Sequence, residues 1–459
     1  MKMYYNVEDK PKFGQLIVFA IQQLLAIMAA TLVVPVIIGH GMSSAAALFG
    51  AGVGTLVYVL FTAKKSPVFL GSSFAFIGSM FAAFAGGVSM ALGYVGLILG
   101  AVFAGLVYVI IAIIVKFAGV GWINKLMPPV VIGPTVAIIG LSLAGNAIGD
   151  LQKGGVLDAK GNSVANVLLC VLIGIITLIV TMLCSTYGKK TAKLIPFIFG
   201  ILAGYAVALV FTVIGNAADI DALKLIDFGK FTALVAGGVS LETFVSVPDF
   251  TFLTAFGGLK ELNASYVGTI AVAYVPVAFV VFAEHIADHK NISSIIEKDL
   301  LQNPGLHRTL LGDGIGSMVG AFFGGCPNTT YGESVACVAI TRNASVATII
   351  AAALGAIIVS FVNPFVAFVN SIPSCVMGGV CMALYGFIAV SGLKMVQKVD
   401  LNENKNLFVV SAILIAGIGG LSLTFGKITL TAVATSLILG IIVNLILSGM
   451  KEEVSETEE

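Results

Sequence analysis

Along this chain apolar residues neither alternate nor form a narrow stripe. They come in unbroken runs of about 20 residues between short polar breaks, the first from Leu16 to Gly39. About 20 residues is the length that crosses a hydrocarbon core as an α-helix, whereas a barrel strand would show about ten residues of alternating polarity. Read between breaks, the runs predict about 14 segments: 15–38, 44–62, 67–85, 91–117, 126–147, 164–186, 193–214, 266–288, 309–325, 328–345, 346–371, 374–396, 405–424 and 428–449. The expected class is an all-α polytopic membrane protein.

Two segments depart from this pattern. The third, PVFLGSSFAFIGSM, is interrupted by Gly71, Ser72 and Ser73, and the tenth, CPNTTYGESVACVAITR, by Asn328, Thr329, Thr330, Gly332, Glu333 and Ser334. An offset of 261 residues superposes Gly71-Ser72-Ser73-Phe74-Ala75 on Gly332-Glu333-Ser334-Val335-Ala336, and places Gln23 on Glu284. The stretch from Asn216 to Lys260 is the long extramembrane linker and leaves seven segments on either side. An odd number of crossings per half requires two inverted seven-span repeats. Paired broken segments in inverted repeats are how secondary transporters build a site at mid-membrane.

Composition sharpens the class. Apolar residues make up 58% of the 459 and charged residues only 10%, with a mean hydropathy of +1.07. Soluble domains carry roughly a quarter charged residues. Many of the 53 glycines sit inside apolar runs, as at Gly50, Gly52, Gly54, Gly93, Gly96, Gly100 and Gly105, where small residues let helix backbones approach. The six cysteines show no metal-ligand spacing and are read as structural, and no cleaved leader is expected at the polar start. With both termini placed inside, 18 of the 24 Lys and Arg fall on the cytoplasmic side, leaving Lys153, Lys160, Lys224, Lys230, Lys260 and Lys427 outside. Residues 451–459 read as a solvated acidic cytoplasmic tail.

Acidic groups at bilayer depth are the candidate chemistry, because each costs about 2.5–3.5 kcal/mol even on a lenient insertion scale. Glu284 and Asp288 stand four residues apart in VVFAEHIADHK, hence on one helix face, and Glu333 stands within the break of the tenth segment. A half-helix starting near Glu333 would offer free N–H groups beside its carboxyl. Phe74, at the facing break with Ser73, either stacks on a flat ligand or packs the core. Asp288 and His289 approach a helix end and are read equally well as a solvated terminus. His285 is read as an interhelical contact or a proton relay, Asp313 as a helix cap, and His40 and His307 as loop residues. Two carboxylates, unpaired N–H groups, an aromatic face and no basic residue suit a planar neutral heterocycle better than an anion. No nucleophile and base stand at usable spacing, so no enzyme is expected.

At these residues the chain resembles the nucleobase/ascorbate transporter family, and within it the bacterial uracil-carrying branch. The motifs are LGSSFAFI from Leu70, AEHIADHKNIS from Ala283, KDLLQNPGLHR from Lys298, PNTTYGES through AITR ending at Arg342, and MGGVCMALYG from Met377. The resemblance implies 14 segments, with short strands in the third and tenth. It implies a core domain from residues 1–118 and, with the linker, 226–372, and a gate domain from 119–225 and 373–450. Glu284 and Glu333 would hydrogen-bond uracil, the backbone around Phe74 and Gly332 would meet its carbonyls, and Ala30, Tyr331 and Tyr385 would line the pocket. Proton coupling through Glu284 and Asp288 follows, with sodium not excluded, no cofactor, a homodimer through the gate domain, and a bacterial inner-membrane location. Departures from the family pattern are Asp288 where His is common, Ser334 for Asn, Ala336 for Gly and Gln23 for His. They leave open a xanthine or other purine permease, and an anion exchanger or channel of related fold stands as the alternative from another class.

Overall fold

A computed structural model describes residues 3–119, 122, 128–158, 160–189, 191–425 and 428–449. The acidic tail and Lys427 lie outside the described residues.

In a medium without water every backbone polar group needs an internal partner, and helices supply it along one segment. Helices accordingly occupy the apolar runs: α1 (Phe13–Ile38), α2 (Ser44–Phe61), α3 (Ile77–Ala83), α4 (Met90–Ala118), α5 (Pro129–Ser142), α6 (Ala144–Leu151), α7 (Val167–Tyr187) and α8 (Pro196–Ala218). There follow α9 (Thr251–Gly258), α10 (Ala264–Ile296), α11 (Leu306–Gly324), α12 (Gly332–Thr341), α13 (Val346–Ser360), α14 (Ser374–Val396), α15 (Asn404–Ile418) and α16 (Ala432–Gly449). Polar residues in the breaks start several of them. Ser43, Ser89 and Asn263 cap α2, α4 and α10 by accepting from Ala46, Leu92 and Tyr266 N–H at 3.2, 3.1 and 3.0 Å. Among the described residues, eight helical stretches are long and apolar enough to cross a membrane, α5 and α6 counting together as one. The chain is a multi-pass, mostly helical membrane protein.

The two broken segments are built as their polar residues require. Strand β1 (Leu70–Ser72) precedes α3 and strand β2 (Asn328–Thr330) precedes α12. They pair antiparallel, Leu70 with Thr330, Gly71 with Thr329 and Ser72 with Asn328, so part of the unwound backbone finds its partners across the pair. Side chains of α2 and the strands fasten them together. Thr55 Oγ1 accepts from Leu70 N–H at 2.9 Å, and the Asn328 amide donates to Gly50 O at 3.0 Å. The strands are equivalent as Leu70–Ser72 with Asn328–Thr330. That is three residues short of the offset that superposes Gly71 on Gly332, so the Gly-x-Ser-x-Ala match is not the structural equivalence.

Glycines mark the closest helix contacts. A Cβ on Gly50 would strike the Gly320 carbonyl, and one on Gly54 would lie 2.7 Å from Gly316 O, so α2 and α11 meet backbone to backbone. By contact, α1, α2, α4, α10, α11 and α13 form one group, and α5, α7, α8, α14, α15 and α16 another. The cysteines are free thiols, five of them buried.

Several expectations are corrected. Helix α10 runs on to Ile296, so Asp288 and His289 are not at its end. Asp313 sits mid-way along α11 and caps nothing, and His307 is helical at the start of α11. The 405–424 segment stops as a helix at Ile418, and a hairpin of β3 (Leu423–Phe425) and β4 (Ile428–Leu430) precedes α16. The 216–260 linker contains α9, which packs on α4 and α11.

Candidate functional site

A cavity of about 470 Å³ lies where α10, the two breaks and the second helix group meet. Helix α10 sends Glu284 and Asp288 into it from successive turns, and α12 brings Gly332, Glu333 and Ala336. Phe74 enters from the turn after β1 and stands edge-on to Tyr385, their ring centroids 6.2 Å apart. Gly332 and Glu333 form the first turn of α12, where backbone N–H groups have no intrahelical partner. The cavity therefore receives carboxyl groups from two helices beside a helix N-terminus, next to an aromatic edge.

The carboxyl groups are held differently. Asp288 Oδ2 accepts from Thr330 Oγ1 at 2.9 Å and is tied to β2. Glu284 and Glu333 bond no other side chain among the described residues, and the Glu333 carboxyl meets its own backbone N–H, so both line the cavity without being tied to a neighbouring residue. Ala30, Ser73, Tyr331 and Tyr385 are buried and are not part of this cavity's lining. Tyr331 donates its hydroxyl to Ser72 O, and its ring lies where a Cβ on residue 71 would be, so Gly71 is required there. Lys193 lines the cavity, which corrects the expectation of a site without a basic residue.

Two departures from the family pattern turn out to be partners. The buried Gln23 amide of α1 donates to Ser334 Oγ of α12, and the same oxygen accepts from Phe69 N–H at 3.0 Å. One hydroxyl thus ties α1, the approach to β1 and the first turn of α12 together, next to Glu333. The third substitution, Ala336, places its methyl on the cavity wall.

Behind the cavity, α10 turns its histidines the other way. Thr309 donates its hydroxyl to Leu306 O at 3.0 Å, so it accepts from His285 Nε2–H, also at 3.0 Å. His285 Nδ1 then meets Asp313 Oδ2 at 2.6 Å with one proton shared between them. His289 donates Nδ1–H to His285 O at 2.8 Å and turns Nε2 to the Tyr58 hydroxyl at 2.7 Å. This network fastens α10 to α11 and α2, which bears out His285 as an interhelical contact.

The Permease family model (Xan_ur_permease) matches residues 14–426. The chain belongs to the nucleobase/ascorbate transporter family. Across 98% of this permease and 95% of the relative, it is 39% identical to the uracil permease of Bacillus caldolyticus. It is 36% identical to that of Bacillus subtilis over 100% of the chain and 98% of the relative, and 35% to that of Escherichia coli K12 over 96% and 93%. These relatives are named as permeases, and the chain is a transporter by membership, not an enzyme. In fold it is similar to the transmembrane domain of the cyanobacterium bicarbonate transporter BicA, at a TM-score of 0.62 and 14% identity, covering 97% of the permease and 100% of that chain. SLC26A9 aligns at a TM-score of 0.64 and 11% identity, covering 95% of the permease and 66% of that chain.

Sequence reasoning missed the apolar wall of the cavity: Leu25 and Ala26 of α1, Phe197 and Ile198 of α8, and Leu384, Phe387 and Ile388 of α14. No signal marks them, because a cavity-facing Leu or Phe in a membrane helix reads like a lipid-facing one.

Proposed function

We propose that this permease imports uracil by proton symport, a core domain of residues 1–118 and 226–372 alternating against a gate domain of 119–225 and 373–450. The observation that carries the reading is the convergence of Glu284 and Glu333, both without side-chain partners, on one cavity beside the N–H groups of α12 and Phe74. A pyrimidine dione has ring N–H groups for the carboxyl oxygens, carbonyls for the backbone N–H groups and a flat face for the ring. Relatives at 35–39% identity named as uracil permeases support that base. Three carboxyl groups against one ammonium disfavour an anion as cargo.

Protonation of Glu284 or Asp288 removes the cost of holding a charge at depth, which couples the proton to the movement of the core. The two contacting helix groups support the core and gate division. Labelled uracil uptake into proteoliposomes is expected to rise under an inward-acidic gradient. Stimulation by sodium with no response to pH would reject proton coupling. Glu333→Gln replaces one acceptor oxygen with a donor, and uracil binding measured by calorimetry is expected to fall at least tenfold; unchanged affinity would remove Glu333 from the site.

The presence of Asp288 in the cavity favours a second reading, a xanthine or other purine carrier of the same family. Competition by uracil, xanthine, hypoxanthine and ascorbate separates the two.

A further inference from the structure

A second cavity, of about 540 Å³, opens at the ends of three helices of the first group and shares no wall residue with the carboxyl site. Its walls are Leu60 and Phe61 at the end of α2, Lys116 near the end of α4, and His307, Arg308 and Leu311 in the first turns of α11. Every charged group on these walls is basic. Among the described residues neither Lys116 nor Arg308 forms an ion pair. Lys116 Nζ is instead parked 5.7 Å from the centre of the Phe117 ring.

The surface leading to this cavity is apolar. Ile110, Ile113, Ile114 and Phe117 recur at helical spacing along one face of α4 and are exposed, Phe117 at 81%, and Leu60 on the cavity wall is 68% exposed. In a membrane helix such a face meets acyl chains. The arrangement is thus a cluster of cations at the end of a strip that lipid tails cover. Cations at helix ends also serve as plain anchors that reach into water. A plain anchor needs no pocket, though, and here three basic side chains from two helices line an open one.

We propose that this cavity binds the phosphate headgroup of an anionic phospholipid whose acyl chains lie along the exposed face of α4. Basic pockets between membrane helices recognise such headgroups through their charge, and the adjoining strip adds the burial that a free phosphate cannot use. The inference is independent of the cargo of the carboxyl site.

Native mass spectrometry tests it, with the full chain released from micelles after incubation with phosphatidylglycerol or phosphatidylcholine of the same chains. Phosphatidylglycerol is expected to stay bound and phosphatidylcholine to be lost; equal retention of the two overturns the proposal. Lys116→Gln with Arg308→Gln is expected to weaken phosphatidylglycerol binding about thirtyfold, from a five- to sixfold factor for each surface cation. Lys12→Gln with Lys405→Gln removes the same charge elsewhere and is expected to leave binding unchanged; an equal loss would mean net charge, not a site. Displacement of the lipid by millimolar inorganic phosphate would assign the cavity to free phosphate and overturn the lipid. Should the double variant fold poorly, photoactivatable phosphatidylglycerol on the unmodified chain is expected to crosslink within α2, α4 or the start of α11, and crosslinks confined to other helices refute the site.

Discussion

Gly332 shows how much the cavity depends on a missing side chain. A Cβ there meets nothing within 4 Å, and the residue lies on the cavity wall at the start of α12. Gly332→Ala is therefore expected to fold normally, with an unchanged melting temperature, while its methyl occupies the space in front of the helix N–H groups. Equilibrium binding of uracil is expected to weaken about tenfold or more, the cost of an unpaired polar contact. Ser334, two residues on, acts on the fold. Ser334→Ala strands both the Gln23 amide and the Phe69 N–H in the interior, which costs about 1–3 kcal/mol for an unpaired buried group. A double-mutant cycle with Gln23→Ala, read by thermal unfolding in detergent, is expected to show coupling above about 0.5 kcal/mol. Additive effects would mean that the two residues do not share that bond.

Among elements, the contact of α2 with α11 carries the most consequence, because α2 also anchors both strands. The carbonyls of Gly320 and Gly316 on α11 face Gly50 and Gly54 of α2 closely enough that the helices leave no room for a methyl group. Gly50→Ala must push α11 away and pull on the Asn328 amide, which is held by Gly50 O. Overpacking of this kind costs about 1–3 kcal/mol. The expected result is a lowered melting temperature together with weaker uracil binding, since β2 leads directly into α12. Gly78→Ala, with open space around its Cβ, is the matched control and should change neither.

Across the whole molecule, the N-terminal strand of chain stitches together distant parts of the sequence. Tyr4 N–H donates to Arg342 O at 2.8 Å, Ala344 N–H to Tyr5 O at 2.9 Å, and Lys298 Nζ to Glu8 Oε1 at 2.9 Å. The Lys298 ammonium holds the Glu8 carboxyl below its ordinary value of 4.5. Because the folded-state value is depressed, the link contributes stability at neutral pH and loses it as pH falls below about 4.5 through the lowered value. Both groups are largely exposed, so Lys298→Gln is expected to cost well under about 1 kcal/mol at pH 7 and nothing at strongly acidic pH, measured by unfolding at the two pH values. A penalty that persists in acid would point to packing of the lysine stem instead.

The sequence by itself determined the solvent and the chemistry. Apolar runs of membrane length required helices, Gly-Ser-Ser and Asn-Thr-Thr could not continue them, and carboxyl groups as costly as Glu284, Asp288 and Glu333 needed a ligand or a proton to justify them. These are local properties, set by what each residue tolerates in lipid, and they are legible one segment at a time. Tertiary structure alone decided which residues meet. The strand register, the His285–Asp313 bond, the Gln23–Ser334 pair, the entry of Lys193 into the cavity and the retreat of Tyr331 and Tyr385 behind it all join residues far apart in the chain. In a membrane helix nearly every face is apolar, so hydrophobic periodicity carries little information about which side packs, which side meets lipid and which side lines a cavity. That choice is made by close packing between helices, and it exists only once the chain has folded.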